Sequence, residues 1–345
     1  MSIKIIFNGH YLKRKISGVG RYARQTIDSL DNSQFEVVNN APHNCVYRGG
    51  RFMKYIRFIF VVFYELIIAS SKLIMNKRSI LISPAFSAPI SFGESKSIIV
   101  FHDLAFLDYP DCYSYKEIMY FKMNLYIIKV FKHHVVTPSE YVKTDMVNRI
   151  GLDESKITVI SPYSEFKNLP KKQKNEKYLL LLSNAHPRKN IDNTVKAFLE
   201  SEYAKSGYTL KVVGTFEVNL NGYRCDKIEL ISNVDNNYLA ELYNGCECVL
   251  LFSYSEGFGF PVVEAASFDT PTLTSDVTSL LEFTPDSIGL EVALDIQSIR
   301  KKLNRFKQDE SYRMKVNNNC VKINETYSKE RFEKEWHDLI TLVSA

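Results

Sequence analysis

Short apolar runs alternate with segments of helical period along the whole chain. In the first half the strand-like runs are IKIIFN (3–8), FEVVNN (35–40), SILIS (79–83), SIIVFHD (97–103), HVVTPS (134–139) and ITVIS (157–161). In the second half they are YLLLLSN (178–184), LKVVG (210–214), IELIS (228–232), CVLLFS (248–253) and TPTLTSD (270–276). Their Val- and Ile-rich continuity suits strands covered on both faces, as in parallel sheets built from βαβ units. The expected fold class is α/β, with two Rossmann-like domains facing across a cleft.

The two series are separated by FKNLPKKQKNEK (166–177), which is polar, lysine-rich and without hydrophobic period, and reads as a linker. The expected organisation is an N-terminal domain over 1–165, a C-terminal domain over 166–325 and a closing helix over 326–345. That helix has periodicity through Phe332, Trp336, Leu339, Ile340 and Val343 and is expected to pack back on the first domain. Open α/β sheets bind ligands beyond the carboxyl ends of their strands, so the residues after each run are the ones to search.

A chain of 345 residues suffices for two domains with separate cores. Its 45% hydrophobic and 24% charged residues are ordinary for a soluble globular protein. Residues 1–7 run into a strand pattern without the long apolar core of a signal peptide. The expected compartment is the reducing cytoplasm, with the six cysteines as free thiols. The net charge of +5 hides an asymmetry: residues 1–165 hold 21 basic and 14 acidic side chains, and the rest hold 23 and 25. A basic first half suits an anionic partner, either a membrane surface or a phosphorylated acceptor; a merely solvated basic face is the equal alternative. The apolar stretch 58–69 is too short to span a bilayer and carries Glu65. Flanked by Arg51, Lys54, Arg57, Lys72 and Lys77, it reads as a buried helix or as an amphipathic helix on anionic lipid. The expected partners thus include the inner face of the cell membrane, in peripheral contact, and no nucleic acid.

Three features are given structural readings. His133-His134 is expected on the surface. Cys246-x-Cys248 lacks a second ligand pair for zinc. Tyr113, Tyr115, Tyr120, Phe121 and Tyr126 are expected to pack in the core.

The candidate chemistry concentrates in SYSEGFGFPVVEAASFDTPTLTSD (253–276). A strand ends at Ser253, a turn follows with Gly257 and Gly259, and a helix begins near Pro261. Glu256 lies on the loop and Glu264 in the first helical turn or just beyond, so both can face one pocket. The amides of Gly257, Phe258, Gly259 and Phe260 can donate to hydroxyls or an anion. Carboxylates accept well from the paired hydroxyls of a sugar and a ribose.

EGFGFPVVEA resembles the E-x7-E signature of glycosyltransferase family 4, the retaining GT-B enzymes. Other stretches match that family in order: SGVGRYARQTI (17–27), FHDLAFLDYP (101–110), TPSEYVKTDM (137–146), GLDESKITVIS (151–161) and LLSNAHPRKNIDNTVKAF (181–198). The resemblance spans nearly the whole chain and is strongest to bacterial mannosyltransferases of O-antigen and surface polysaccharide assembly. It implies that Glu256 contacts the donor sugar and that the amides of Gly257, Phe258 and Gly259 hold sugar hydroxyls. It implies that Glu264 binds the ribose, and that Arg188 and Lys189 pair with the diphosphate. Gly18 and Gly20 would let the first loop approach that diphosphate, and His102 would sit beside the sugar. Two departures stand out: Ser183-Asn184 replaces a frequent Gly-Arg pair, and Ser161-Pro162-Tyr163 replaces the more usual Pro-Asn-Gly at the junction.

A departing nucleoside diphosphate develops negative charge that something positive must meet. The chain has no Asp-x-Asp pair to hold a metal, whereas Arg188, Lys189 and a nearby helix start can supply the charge. No metal and no cofactor are expected. The implied activity is retaining transfer of a hexose, mannose first, from a nucleotide-diphosphate sugar such as GDP-mannose to a lipid-linked oligosaccharide. A rhamnose-type deoxyhexose transferase and a non-catalytic nucleotide-sugar-binding subunit are the alternatives. The sequence leaves the base, the linkage position and the oligomeric state open.

Overall fold

The computed structural model describes residues 3–9, 12, 17–31, 35–39, 79–90, 96–166, 176–182, 186–214, 226–284 and 294–344. The chain divides into two compact units, residues 1–162 with 330–345, and Tyr163–Lys329. The apolar stretch 58–69 with its basic flanks, residues 167–175 of the polar segment, and Ser183-Asn184 lie outside the described residues.

The first unit is built on a parallel sheet of β1 (Lys4–Phe7), β2 (Glu36–Asn39), β3 (Ser79–Ser83), β4 (Lys96–Val100), β5 (His134–Thr137) and β6 (Ile157–Val159). Its order is β2-β1-β3-β4-β5-β6. β3 is buried along its whole length, which is why SILIS carries no alternating pattern. The helices are α1 (Gly18–Asp31), α2 (Ala105–Asp108), α3 (Tyr115–Phe131) and α4 (Glu140–Asp145). Ser114 starts α3 through a capping box: its hydroxyl accepts from the Glu117 amide at 3.3 Å, while Glu117 Oε2 accepts from the Ser114 amide at 2.8 Å. The C-terminal helix Lys329–Ser344 belongs to this unit. Its Phe332 and Trp336 are fully buried, with Phe332 edge-on to Tyr22 at 5.6 Å. Lys96 Nζ donates to the Ser344 carbonyl at 2.7 Å.

Two surface-or-core expectations are corrected here. His133 and His134 are buried, because β5 is an internal strand with neighbours on both sides. His133 Nε2 donates to the Pro89 carbonyl at 2.8 Å, so its Nδ1 accepts from the Ser97 hydroxyl at 2.5 Å. His134 Nε2 bonds the Thr158 hydroxyl at 2.9 Å. The aromatic stripe splits in two. Phe121 packs inward against Phe86 and Phe106, each at 5.0 Å, whereas Tyr115 and Tyr126 point outward, 76% and 68% exposed. Helical spacing puts positions 115 and 126 on the face opposite Asn124, Leu125, Ile127 and Ile128, which are buried.

The second unit holds β7 (Tyr178–Leu182), β8 (Thr209–Val213), β9 (Ile228–Ile231), β10 (Val249–Leu251) and β11 (Thr272–Thr274), all parallel, in the order β11-β10-β7-β8-β9. Its helices are α5 (Ile191–Leu199), α6 (Glu202–Lys205), α7 (Asn236–Gly245), α8 (Phe260–Ala266), α9 (Ile296–Gln308) and α10 (Glu310–Thr326). Side chains alternate across β7. Leu179 and Leu181 face one layer with Phe198, Leu303 and Phe306; Tyr178 and Leu180 face the other with Tyr243 and Phe268. Each such leucine contributes about 1.5–3 kcal/mol by burial. Winding runs outward from the β7–β10 boundary in both directions, so that boundary is the switch point where open sheets leave a crevice at their carboxyl ends. Cys246 and Cys248 are buried in opposite layers of this unit. Among the described residues no helix is long and apolar enough to cross a membrane.

Candidate active site

Two segments leave the switch point of the second sheet. After β7 a single 3₁₀ turn, Pro187–Lys189, carries Arg188 and Lys189. Asn190 follows in the left-handed conformation, φ 53°, which Asn tolerates better than most residues, and α5 begins at once. After β10 the chain runs through Ser253, Tyr254 and Ser255 to Glu256. The two segments are sewn together: the Tyr254 amide donates to the Arg188 carbonyl at 2.8 Å, and Arg188 Nη1 reaches the Ser255 carbonyl at 3.4 Å.

Lys189 Nζ stands 2.5 Å from Glu256 Oε1, and the Ser253 hydroxyl donates to the same oxygen at 2.6 Å. Burial alone would raise the Glu256 pKa, but the charges of Lys189 and Arg188 and the two hydrogen bonds outweigh it and hold the carboxyl below its usual range. Among the described residues the hydrogen bonds from Lys189 and Ser253 both fall on Oε1, so Oε2 is the oxygen better placed to accept from a ligand. The site therefore offers one ionised carboxylate and two cations at a strand-end crevice, a set that suits a ligand with an anionic end and a hydroxylated end.

The Glu256 backbone is held by the 3₁₀ segment Thr278–Phe283. The Glu256 amide donates to the Thr278 hydroxyl at 3.0 Å, and the Ser279 hydroxyl lies 2.8 Å from the carbonyls of both Glu256 and Phe258. Thr278 has φ 51°, a left-handed conformation that costs a β-branched residue strain. Asp276, two residues before this segment, is buried against Lys302 Nζ at 3.0 Å. The Phe258 ring is buried among Phe260, Phe283 and Tyr327, so any part it takes in binding a ligand falls to its amide. Gly259 has φ 128°, and a Cβ there would lie 2.9 Å from Leu280 Cδ2; only glycine fits. Gly257, between Glu256 and Phe258, is buried.

Glu264 is the fifth residue of α8 and is 3% exposed. Its Oε2 accepts from the Tyr243 hydroxyl of α7 at 2.6 Å.

His102 belongs to the first unit and follows β4. Its Nε2 donates to the Pro84 carbonyl at 2.9 Å, and its ring meets Tyr22 edge-on at 5.2 Å. Burial lowers its pKa despite the Pro84 bond and Asp103, so the ring is neutral. Asp103 Oδ1 accepts from the Ala105 amide at 3.1 Å and so shapes the strand end. Gly18 and Gly20 occupy the first turn of α1, with the Gly20 amide donating to the Ser17 hydroxyl at 3.1 Å. They are helical positions rather than loop positions, because Ser17 caps the helix ahead of them.

The structure thus brings Arg188, Lys189 and Glu256 into contact within the second unit, with Gly257, Phe258 and Gly259 on the same loop. It also adds residues that the sequence does not single out. Ser253 stands at the edge of the segment 253–276, and Thr278 and Ser279 just beyond it. Tyr243 sits on an amphipathic helix with no local signal of its role.

Residues 163–322 match the family described as "Glycosyl transferases group 1". The chain is similar to the O-antigen chain mannosyltransferase B of Escherichia coli, 23% identical over 90% of this chain and 92% of that one. In fold it is similar to the sucrose-phosphate synthase of Thermosynechococcus elongatus, with a TM-score of 0.72 and 16% identity over 98% of each chain. It is likewise similar to HepE of Anabaena, solved in complex with UDP-glucose, with a TM-score of 0.70 and 12% identity over 98% of this chain and 99% of that one.

Proposed function

We propose that this chain, whose residues 163–322 match the group 1 glycosyl transferases and whose fold is GT-B, acts as a member of that family and transfers a hexose, mannose first, from a nucleotide-diphosphate donor to a lipid-linked oligosaccharide with retention of configuration. The contact of Lys189 and Arg188 with the Glu256 loop at the switch point carries this reading. The diphosphate end of the donor takes Arg188 and Lys189. The sugar hydroxyls take Glu256 Oε2 and the amides of Gly257, Phe258 and Gly259. Glu264 holds the ribose. His102 borders the sugar as a neutral ring, and Gly18 and Gly20 serve the diphosphate as the resemblance implies.

In the transfer step the acceptor hydroxyl oxygen bonds to the anomeric carbon as the bond from that carbon to the phosphate oxygen breaks. The acceptor proton passes to the departing phosphate on the same face, which preserves the anomeric configuration. Arg188 and Lys189 meet the charge that develops on the leaving group, where a preorganised cation acts most strongly. That division of labour calls for no metal. The similarity to an O-antigen mannosyltransferase supports surface polysaccharide synthesis and GDP-mannose as the donor. A lipid-linked acceptor places the work at the inner face of the cell membrane, reached from the cytoplasm.

The test is to offer the purified protein GDP-mannose, UDP-glucose and a dTDP-deoxyhexose with a lipid extract as acceptor. The expected result is release of GDP with an α-linked mannose on the lipid, read by anomeric NMR coupling. Turnover of the deoxyhexose donor alone would replace the hexose reading, and a β-linked product would overturn retention.

A further inference from the structure

Lys302 is a buried charge to which the site gives no part. It belongs to α9 and is 7% exposed. Its Nζ donates to the Thr274 carbonyl at 2.8 Å and to Asp276 Oδ1 and Oδ2 at 3.2 and 3.0 Å. Those acceptors suit the three protons of an ammonium group. Asp276 is buried too, and its Oδ1 also accepts from the Thr284 hydroxyl at 3.1 Å. The carboxylate thus joins the two ends of the segment 276–284, and the lysine ties that closed segment to β11 and α9.

Between those ends lie Thr278 and Ser279, whose hydroxyls hold the backbone of Glu256 and Phe258. Thr278 has φ 51°, and a strained backbone persists only where its surroundings over-determine it. A second tie runs alongside. The Ser275 hydroxyl donates to the Ser253 carbonyl at 2.6 Å, and the Ser253 hydroxyl holds Glu256 Oε1. Stability does not account for an ion pair buried here, because a packed apolar pair of similar volume often serves as well or better.

We propose that Lys302 and Asp276 are positioning residues for the transfer step. Their ion pair fixes the segment 276–284. Through Thr278 and Ser279 that segment sets the place of the Glu256 carboxylate and of the amides after it. Without the pair the segment relaxes at Thr278, and the Glu256 loop moves with it. A shift of about 1 Å at a reacting centre is enough to cost about 10²-fold in rate. The kinetic consequence rests on the transferase reading of the site; the order imposed on the loop does not.

The test replaces the pair with apolar side chains, Asp276→Leu with Lys302→Met, in the full chain. Its melting temperature is expected near or above wild type. Hydrogen exchange of the amides over 255–259 should nonetheless be faster by about tenfold or more, with β7 and β10 at wild-type rates. With a nucleotide-sugar donor, kcat should fall about tenfold or more, and the donor KM should change less. Thr284→Val removes the hydroxyl that joins Asp276 to the far end of the segment, and should speed exchange of the same amides about threefold or more. Arg300→Ala removes an exposed pair with Glu200 on the same helix and should match wild type throughout. A double variant that exchanges and turns over as wild type does would overturn the proposal. So would exchange that quickens evenly over the second unit, which marks general loosening. Should the double variant not fold, Thr284→Val decides alone, and wild-type exchange there would overturn the proposal. Wild-type protein that transfers sugar from no donor would overturn the transferase reading, while the exchange rates still decide whether the pair orders the loop.

Discussion

Lys189 Nζ and Glu256 Oε1 meet at 2.5 Å between segments that leave neighbouring strands, β7 and β10, although 67 positions separate them in sequence. The pair is mostly buried, the lysine side chain 17% and the carboxylate 10% exposed. An ion pair so placed contributes little net stability, because desolvation offsets the attraction. Its effect is to hold a carboxylate ionised and oriented at a crevice, with the Ser253 hydroxyl fixing the same oxygen.

Substitution should separate charge from packing at that pair. Glu256→Gln keeps an oxygen to accept from Ser253 and Lys189, so the fold should persist while kcat falls about 10²–10³-fold. Lys189→Ala should lose activity similarly and lower the melting temperature as well, because it strips a buried carboxylate of its nearest cation. Activity assays beside thermal melts decide this. Equal melting temperatures for the two variants would contradict the buried pair.

Tyr243 gives a prediction of the opposite kind. Its hydroxyl donates to Glu264 Oε2 and, on the proposed role of Glu264, orients the ribose acceptor. A hydrogen bond to a charged group is worth about 1.5–3 kcal/mol. Tyr243→Phe should therefore raise KM for the donor about tenfold or more and leave kcat nearly unchanged, since a ribose contact is similar in ground and transition states. A fall in kcat at constant KM would assign Glu264 to the chemical step instead.

Ser279 tests the bracket that holds the Glu256 loop. Ser279→Ala removes the hydroxyl bound by the carbonyls of Glu256 and Phe258, and should lower kcat about tenfold by letting the loop drift. Thr278→Ser keeps the oxygen that accepts from the Glu256 amide and should stay near wild type, whereas Thr278→Val should not. Steady-state kinetics of the three variants checks the order; a Ser279→Ala enzyme with wild-type kcat would show that the loop holds itself.

The sheets were legible where both faces of a strand are buried. SILIS (79–83) coincides with β3, and YLLLL within 178–184 is β7, because continuous burial leaves no polar position to blur the run. TPTLTSD (270–276) yields only Thr272–Thr274, since threonine serves strand and loop alike. Local signal led to Glu256, which stands on a glycine-containing loop after a strand, whereas Arg188 and Lys189 were singled out by the family resemblance. The partners of the two glutamates were not: Tyr243 reaches Glu264 across 21 positions and Ser279 reaches Glu256 across 23, and neither spacing has a sequence period. The two histidines at the start of β5 were misread for a related reason. Hydropathy reads His133-His134 as polar, while Ser97, Pro89 and Thr158 from neighbouring segments supply the hydrogen bonds that let both be buried.

Those histidines also set an acid limit on the first unit. Burial lowers the pKa of His133 and of His134 from 6.5 to about 4, with Lys156 also acting against the charged form of His134. A group whose folded pKa is depressed contributes stability that is complete above its unfolded value and is lost as pH falls through the interval down to the folded value. The window here is pH 6.5 to about 4. At about 1.36 kcal/mol for each pH unit of that window, His133 alone accounts for up to about 3 kcal/mol of stability that acid removes. Denaturant unfolding of the full chain should show stability falling steeply across that window. His133→Gln, which keeps a donor and an acceptor but cannot titrate, should begin less stable at neutral pH and lose stability with a slope shallower by about one proton. The direct check is the ring proton NMR of the two histidines, which should titrate near pH 4. Titration near 6.5, or identical slopes for wild type and His133→Gln, would mean that both rings are open to water.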